Sequence, residues 1–427
     1  MWDWVKRFKK FVIYFGITLG LSAILGVTSR ISVGFSEFWA SRVYPVFAAT
    51  VGRFFGIFPF SVGEILLIAI IAGFVPFVVI VIVKRKKILT KSLLGIACAG
   101  STLLLIYTAN CGVMYNRQIF LSDEKYGFGR DYSFEKVEEE YELKEWIVIL
   151  TILSELYESE VYSKISTDEN GVFKPTRDLA VTAPAAMRNL AKTYPRLNVY
   201  FPRPKPLTRL TSEIMTAGWT VGVFSPFTIE ANYNNIVPYN ERAVTALHEL
   251  AHAAGFMREE EANFIAFLAA MKSGDSELEY AAYLDIFYSY RWWIISIETY
   301  EALPKEYQDL FDTLARKDEW DFSFEGEEIE YSPTYFSVNE LLPSQVQLDL
   351  QADNDFWWNR YYNVEYVYDE EGEIIDEIIT EDPWVGIVSD ITSGVNDAYL
   401  KAQGQSDGVL SYGRMTDLVI AWYWAGI

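Results

Sequence analysis

The 427-residue chain contains two histidines, His248 and His252, one helical turn apart in the stretch HELAHAAGF. An i, i+4 spacing puts both imidazoles on one helix face, where they can share a tetrahedral Zn2+ while Glu249 projects beside the open coordination position. That pattern suits hydrolysis at a carbonyl carbon: the ion polarises the carbonyl and activates a water, and the neighbouring carboxylate takes the proton. The five-residue pattern arises by accident in unrelated helices. Two histidines placed at random, however, fall four apart only about once in 200 arrangements.

With no further histidine, and with Cys98 and Cys111 both in or beside an apolar run, a third ligand has to be a carboxylate. Glu259, Glu260 and Glu261 follow directly after Gly255 and Phe256. In EEEANFIAFLAA the apolar face is Ala262, Phe264, Ile265, Leu268 and Ala269, which leaves Glu259 and Glu261 both open as ligands. The remaining glutamates are first-turn residues favoured by the helix dipole. A donor for the developing oxyanion must come from Tyr, Arg or Asn. Tyr280, Tyr283, Tyr412 and Arg414 are the candidates, with Asn232 for substrate contact.

The elements that must position these residues are legible nearby. Residues 241–254 are strong helix formers that stop at Gly255, and a second helix should begin near Glu259. Residues 219–233 (WTVGVFSPFTIEANY) read as an edge strand, β-branched and aromatic around one proline, able to pair with an extended peptide. Residues 134–160 read as an amphipathic helix, 200–207 as a Pro-rich connector and 365–379 as a solvated hairpin.

Composition sets the surroundings. At 51% hydrophobic residues the chain is too apolar to be disordered, and a net charge of −22 removes the basic footprint of nucleic-acid binding. Residues 1–114 carry 12 basic and 3 acidic side chains, so almost all the acidity lies beyond them. Uncharged runs at 11–27, 65–83 and 92–115 are long enough to cross a bilayer, with Pro76 expected to kink the second. No small-residue cleavage site makes the first run a signal peptide. The reading is a membrane domain over 1–116, with spans at about 11–29, 62–83 and 92–115 and an interfacial helix over 31–60. The Lys/Arg clusters before the first span and at 84–91 place the N-terminus in the cytoplasm and residues 117–427 outside it. The partners expected are the lipid bilayer and a peptide or protein substrate, with no nucleic acid; no motif sets an oligomeric state.

Glu259-x-x-Ala262-Asn263 resembles the Glu-x-x-Ala-Asp helix of gluzincin peptidases, whose first Glu binds zinc and whose Asp supports a ligand His. The resemblance implies Glu259 as the ligand and Asn263, standing where those families have Asp, as support for a ligand His. The gap between the His pair and Glu259 is shorter than in familiar gluzincins. More widely, FPFSVGEIL, MYNR, SPFTIEANYN, REEEANFIAFLAA, LPSQVQLD and SYGRMTDL resemble a bacterial family of polytopic proteins of unknown function, number 3810, similar to zincin metallopeptidases. The resemblance implies an α-rich chain: three transmembrane helices and an interfacial helix in the bacterial cytoplasmic membrane, then an extracytoplasmic α+β zincin-like domain. The expectation is a zinc peptidase in which His248, His252 and Glu259 hold the metal and Glu249 is the general base. A non-catalytic scaffold with a structural zinc site, or a peptidase acting on cell-wall peptides, are the alternatives.

Overall fold

The structure is a computed structural model, and it describes residues 8–84, 86–121, 138–315, 323–324, 327–328, 336–368, 374–403, 405, 415–424 and 426. Among the described residues, three helices are long and apolar enough to cross a membrane: α1 (Lys9–Ile31), α2 (Val62–Lys84) and α3 (Lys86–Tyr107), the last extended by a π-helical turn at Thr108–Gly112. Runs of Leu, Ile and Val with few charges favour this outcome, because only a helix satisfies every backbone group without water. A helix of 23 residues, the length of α1 and of α2, reaches about 35 Å, enough for the hydrocarbon core. Pro76 lies inside α2. α1 and α3 run side by side, joined by hydroxyl pairs Thr18–Ser101 at 2.7 Å and Tyr14–Thr102 at 2.8 Å.

The segment between the first two spans is not a regular interfacial helix. It is a broken run in which Val33–Phe38, Tyr44–Phe47 and Arg53–Phe55 alternate with π turns at Trp39–Val43 and Ala48–Gly52. Pro45 has no N–H for an i−4 bond, and the ladder beside it widens to the π spacing. Phe38, Val46 and Ile57 are exposed, while Tyr44 is wholly buried against the rest of the chain.

Beyond the spans the chain is helix-rich. Among its helices are α4 (Glu138–Ser159) and α5 (Leu179–Thr193), and then come β1 (Lys205–Pro206), α6 (Arg209–Ala217), β2 (Gly222–Ser225) and β3 (Glu230–Tyr233). The core is built around α7 (Tyr239–Ala253), α8 (Glu259–Met271) and α9 (Ser276–Tyr290), with α4 and α5 packed into it. α7 and α8 alternate alanines with Leu, Ile and Phe, so they approach closely. Leu247, Leu250, Phe264 and Phe267 are essentially inaccessible, each contributing about 2 kcal/mol by burial. The three strands form one sheet with β3 in the centre, parallel to β1 and antiparallel to β2. The expected single edge strand over 219–233 is therefore two strands separated by a turn at Pro226, and its Glu230–Tyr233 half is the central one. α10 (Ser344–Tyr361) leads into a hairpin of β4 (Tyr362–Tyr368) and β5 (Ile374–Glu381), then α11 (Pro383–Ala402) and α12 (Met415–Trp424). Asp382 caps α11 by accepting from Trp384 N and Val385 N.

Candidate metal centre

α7 ends where Gly255 takes φ +83°, a conformation that costs glycine little. The chain turns back there, and the turn builds part of the site. Phe256 O accepts from His252 Nδ1 at 2.7 Å. Across the turn, α8 brings Asn263 Oδ1 to 2.5 Å from His248 Nδ1. Both partners are acceptors, so each ring carries its proton on Nδ1 and presents a lone pair at Nε2. The rings stand nearly perpendicular, 4.5 Å apart.

Both Nε2 atoms converge on Glu259 Oε2, His248 at 3.2 Å and His252 at 3.5 Å. One ligand atom from each of the three residues lies within 4.8 Å of the others. With Nδ1 as the donor on both rings, three acceptors face one another with no hydrogen between them, an arrangement that demands a cation. Either a proton or a metal satisfies it, and the donor set of two imidazoles and one carboxylate fits zinc. Without a metal, the balance shows in the titrations. Burial opposes charge on Glu259, but His252 and His248 outweigh it and hold the carboxyl well below its usual range. Burial opposes the His252 imidazolium too, and Glu259 overrides it, raising the ring to about 9.

Glu249 lies beside this triad, 4% exposed, and among the described residues its Oε2 has no hydrogen-bond partner. Burial pushes the carboxyl up to about 7 against the pull of both imidazoles. Its other oxygen sits against Gly222 on β2, where a Cβ would collide with Glu249 Oε1 and Thr245 Cγ2. Gly222 thus lets the strand close over the helix, a role the sequence signalled only as a lone glycine within a strand pattern.

The three consecutive glutamates part company. Successive helix positions are about 100° apart, so only one can face the histidines. Glu260 accepts from Gln405 Nε2 at 2.7 Å and Glu261 from Phe120 N at 2.6 Å. Glu261, open as an alternative ligand by periodicity, therefore points away from the centre. The two described oxyanion candidates, Tyr280 and Tyr283, also fall elsewhere. Tyr280 donates to Asp349 at 2.6 Å inside the core, and Tyr283 is buried in the same core. Asn232 is 2% exposed on the central strand and donates to Val223 O and Glu230 O, which removes it from substrate contact. Tyr412 and Arg414 lie outside the described residues.

The broken run and the residues just after the third apolar helix reach the turn beside the centre directly. Tyr44 OH donates to Ala253 O at 3.0 Å, and Arg117 Nη1 donates to Ala254 O and Gly255 O at 3.3 and 3.1 Å, satisfying carbonyls that a helix end leaves unpaired. A cleft of about 830 Å3 runs over the triad, bordered by Gly222, Val223 and Phe224 of β2 and by Tyr107, Cys111 and Tyr115 at the end of the third span. Tyr399 of α11 closes that end through hydroxyl contacts to Tyr107 at 2.9 Å and Tyr115 at 3.2 Å. At the other end lie Glu241, Asp285 and Asp353, raised by burial to about 8, 6 and 7. Glu241 shares a face with Thr245, His248 and His252 at i, i+4, i+7 and i+11, a periodic signal that sequence reasoning missed. Asp285 and Asp353 carry no such signal.

The sequence model of the family described as "Protein of unknown function (DUF3810)" matches residues 39–322 and 325–420. The chain belongs to that family. The matched region of this DUF3810 chain contains the broken helical run from Trp39 onward, the second and third apolar helices, and His248, Glu249, His252 and Glu259. No curated protein matches, and no solved structure does.

Proposed function

We propose that the chain is a membrane-anchored zinc-dependent peptidase, with His248, His252 and Glu259 holding the ion and Glu249 acting as general base. The observation that carries this reading is the convergence of two Nε2 lone pairs on one carboxylate oxygen with Nδ1 of each ring already engaged. Zinc bound there would supply Lewis acidity and lower the pKa of a water at the site. Glu249, buried and with one oxygen free, is placed to take that water's proton and pass it to the leaving amine. Among the described residues β2 is an edge strand, and its residues line the cleft, which supports an extended peptide lying alongside it.

The Lys/Arg-rich flanks support a cytoplasmic N-terminus and, with it, a centre on the extracytoplasmic side of a bacterial membrane. The decisive experiment pairs elemental analysis with turnover of a peptide library by purified protein. Wild type should contain one zinc per chain and cut peptides; Glu249→Gln should keep the zinc and lose hydrolysis; His252→Ala should lose both. Zinc retained by His252→Ala, or turnover by Glu249→Gln, contradicts the assignment. Zinc in the wild type without turnover leaves a metal-holding scaffold.

A further inference from the structure

α11 has faces of opposite character. One side lines the cleft with Ser389, Ser393, Asn396 and Tyr399. On another, Trp384, Ile387, Ile391 and Val395 form a ridge at helical spacing, each between 58% and 62% exposed. Four large apolar side chains in a row mark a surface built to be covered. The charged residues fall on a flank, where Lys401 pairs with Asp397 at 2.7 Å.

What covers the ridge follows from where the helix is rooted. Arg30 Nη2, at the end of α1, donates to Ala402 O at 3.3 Å, and Tyr399 meets two tyrosines at the end of the third span. On α1 itself Ile24, Val27 and Ile31 are exposed up to this contact, so α11 is anchored where an apolar surface suited to lipid ends. The neighbouring α6 repeats the arrangement. Its N-cap Thr208 bonds Glu64 at the start of α2, Gly218 at its end abuts Thr392 of α11, and it exposes Leu210 and Ile214.

We propose that α11 lies in the headgroup layer of the leaflet bordering residues 117–427, its Trp384–Ile387–Ile391–Val395 ridge facing the acyl chains, so that one helix separates the bilayer from the cleft. The occupant is lipid rather than a second copy because the helix that carries the ridge is tied at its C-terminal end to the ends of two apolar helices suited to lipid. The cleft then opens at headgroup depth. This placement holds whether or not the metal centre turns over peptide.

The test uses the full chain in phosphatidylcholine–phosphatidylglycerol proteoliposomes. Nitroxides on Ile387→Cys, Ile391→Cys and Val395→Cys, in a Cys98→Ser background, should be relaxed more by oxygen than by an aqueous nickel chelate, and a label on Lys305→Cys should show the reverse. Labels on the ridge relaxed chiefly by the chelate overturn the proposal. So does spin–spin broadening between ridge labels that vanishes on dilution with unlabelled protein, since a second copy then covers the helix. The unsubstituted chain gives an independent readout: phosphatidylcholine with a carbene precursor in its acyl chain should label residues 383–402, and absence of adducts there contradicts the placement.

Discussion

His248 Nδ1 and Asn263 Oδ1 meet at 2.5 Å across the turn from α7 to α8, and this contact decides which nitrogen of the ring faces the centre. An amide oxygen here accepts the Nδ1 proton but, unlike a carboxylate, adds no charge. Asn263→Ala frees the ring to rotate or change tautomer and should weaken zinc binding by about 10- to 100-fold, measured by competition with a chromophoric chelator. Asn263→Asp should restore most of that loss. Unchanged affinity in Asn263→Ala would show that the ring needs no support.

β2 and α7 approach closely at Gly222. A Cβ at that position has no room, since Glu249 Oε1 and Thr245 Cγ2 already occupy it, and Asn232 O lies 3.1 Å away. Gly222→Ala should push the strand off the helix or displace the Glu249 carboxylate. The expected result is a loss of about 1–3 kcal/mol of stability, read from the thermal midpoint in detergent, with peptide turnover falling further than that loss explains. A variant as stable and as active as wild type would mean that the strand can move away freely.

The facing of His248 and His252 was legible in sequence because a helix converts a spacing of four into a shared face without help from the rest of the chain. The spans were legible for a similar reason: continuous apolar length maps directly onto bilayer thickness. The choice among Glu259, Glu260 and Glu261 was not, because all three are buried and each has its own partner, two of them from distant segments (Phe120 and Gln405). Tyr107, Tyr115 and Tyr399 went unnoticed for the same reason. Their grouping depends on how α11 returns to the third span across nearly 300 residues of chain, as the sequence separation of 292 between Tyr107 and Tyr399 makes plain.

Glu241 makes stability depend on pH in a definite direction. Burial raises its carboxyl from an ordinary 4.5 to about 8, Asp353 and Asp285 add repulsion, and the hydrogen bond from Trp357 Nε1 at 2.5 Å opposes the shift. The folded chain therefore holds this proton more tightly than the unfolded one. Its contribution is fully present below the unfolded pKa and is lost as pH rises through the folded value. Glu241→Gln keeps an acceptor for Trp357 and removes the titration. The variant should match wild type near pH 4 and melt higher near pH 8.5, by roughly 2–4 °C for each kcal/mol recovered. Parallel melting curves across that range would show that Glu241 gains no penalty on folding.

Lys205 and Glu230 join the second span to the sheet beneath the centre. Their side chains are 2% and 1% exposed, and they form an ion pair with each other. Glu230 also accepts from Val62 N at 3.1 Å and Gly63 N at 2.7 Å, capping α2, while Lys205 Nζ donates to Phe55 O at 2.8 Å. Removing one partner strands the other charge away from water, which costs about 3–5 kcal/mol, whereas replacing both with apolar groups of similar volume is often close to neutral. Lys205→Met and Glu230→Leu should each lower the thermal midpoint by roughly 10 °C, with the double variant losing clearly less than the sum. Glu230→Leu, which alone also uncaps α2, should remain the more damaging single change. Strict additivity in this cycle would mean that the two residues act on stability separately, Glu230 through the cap and Lys205 through the Phe55 carbonyl.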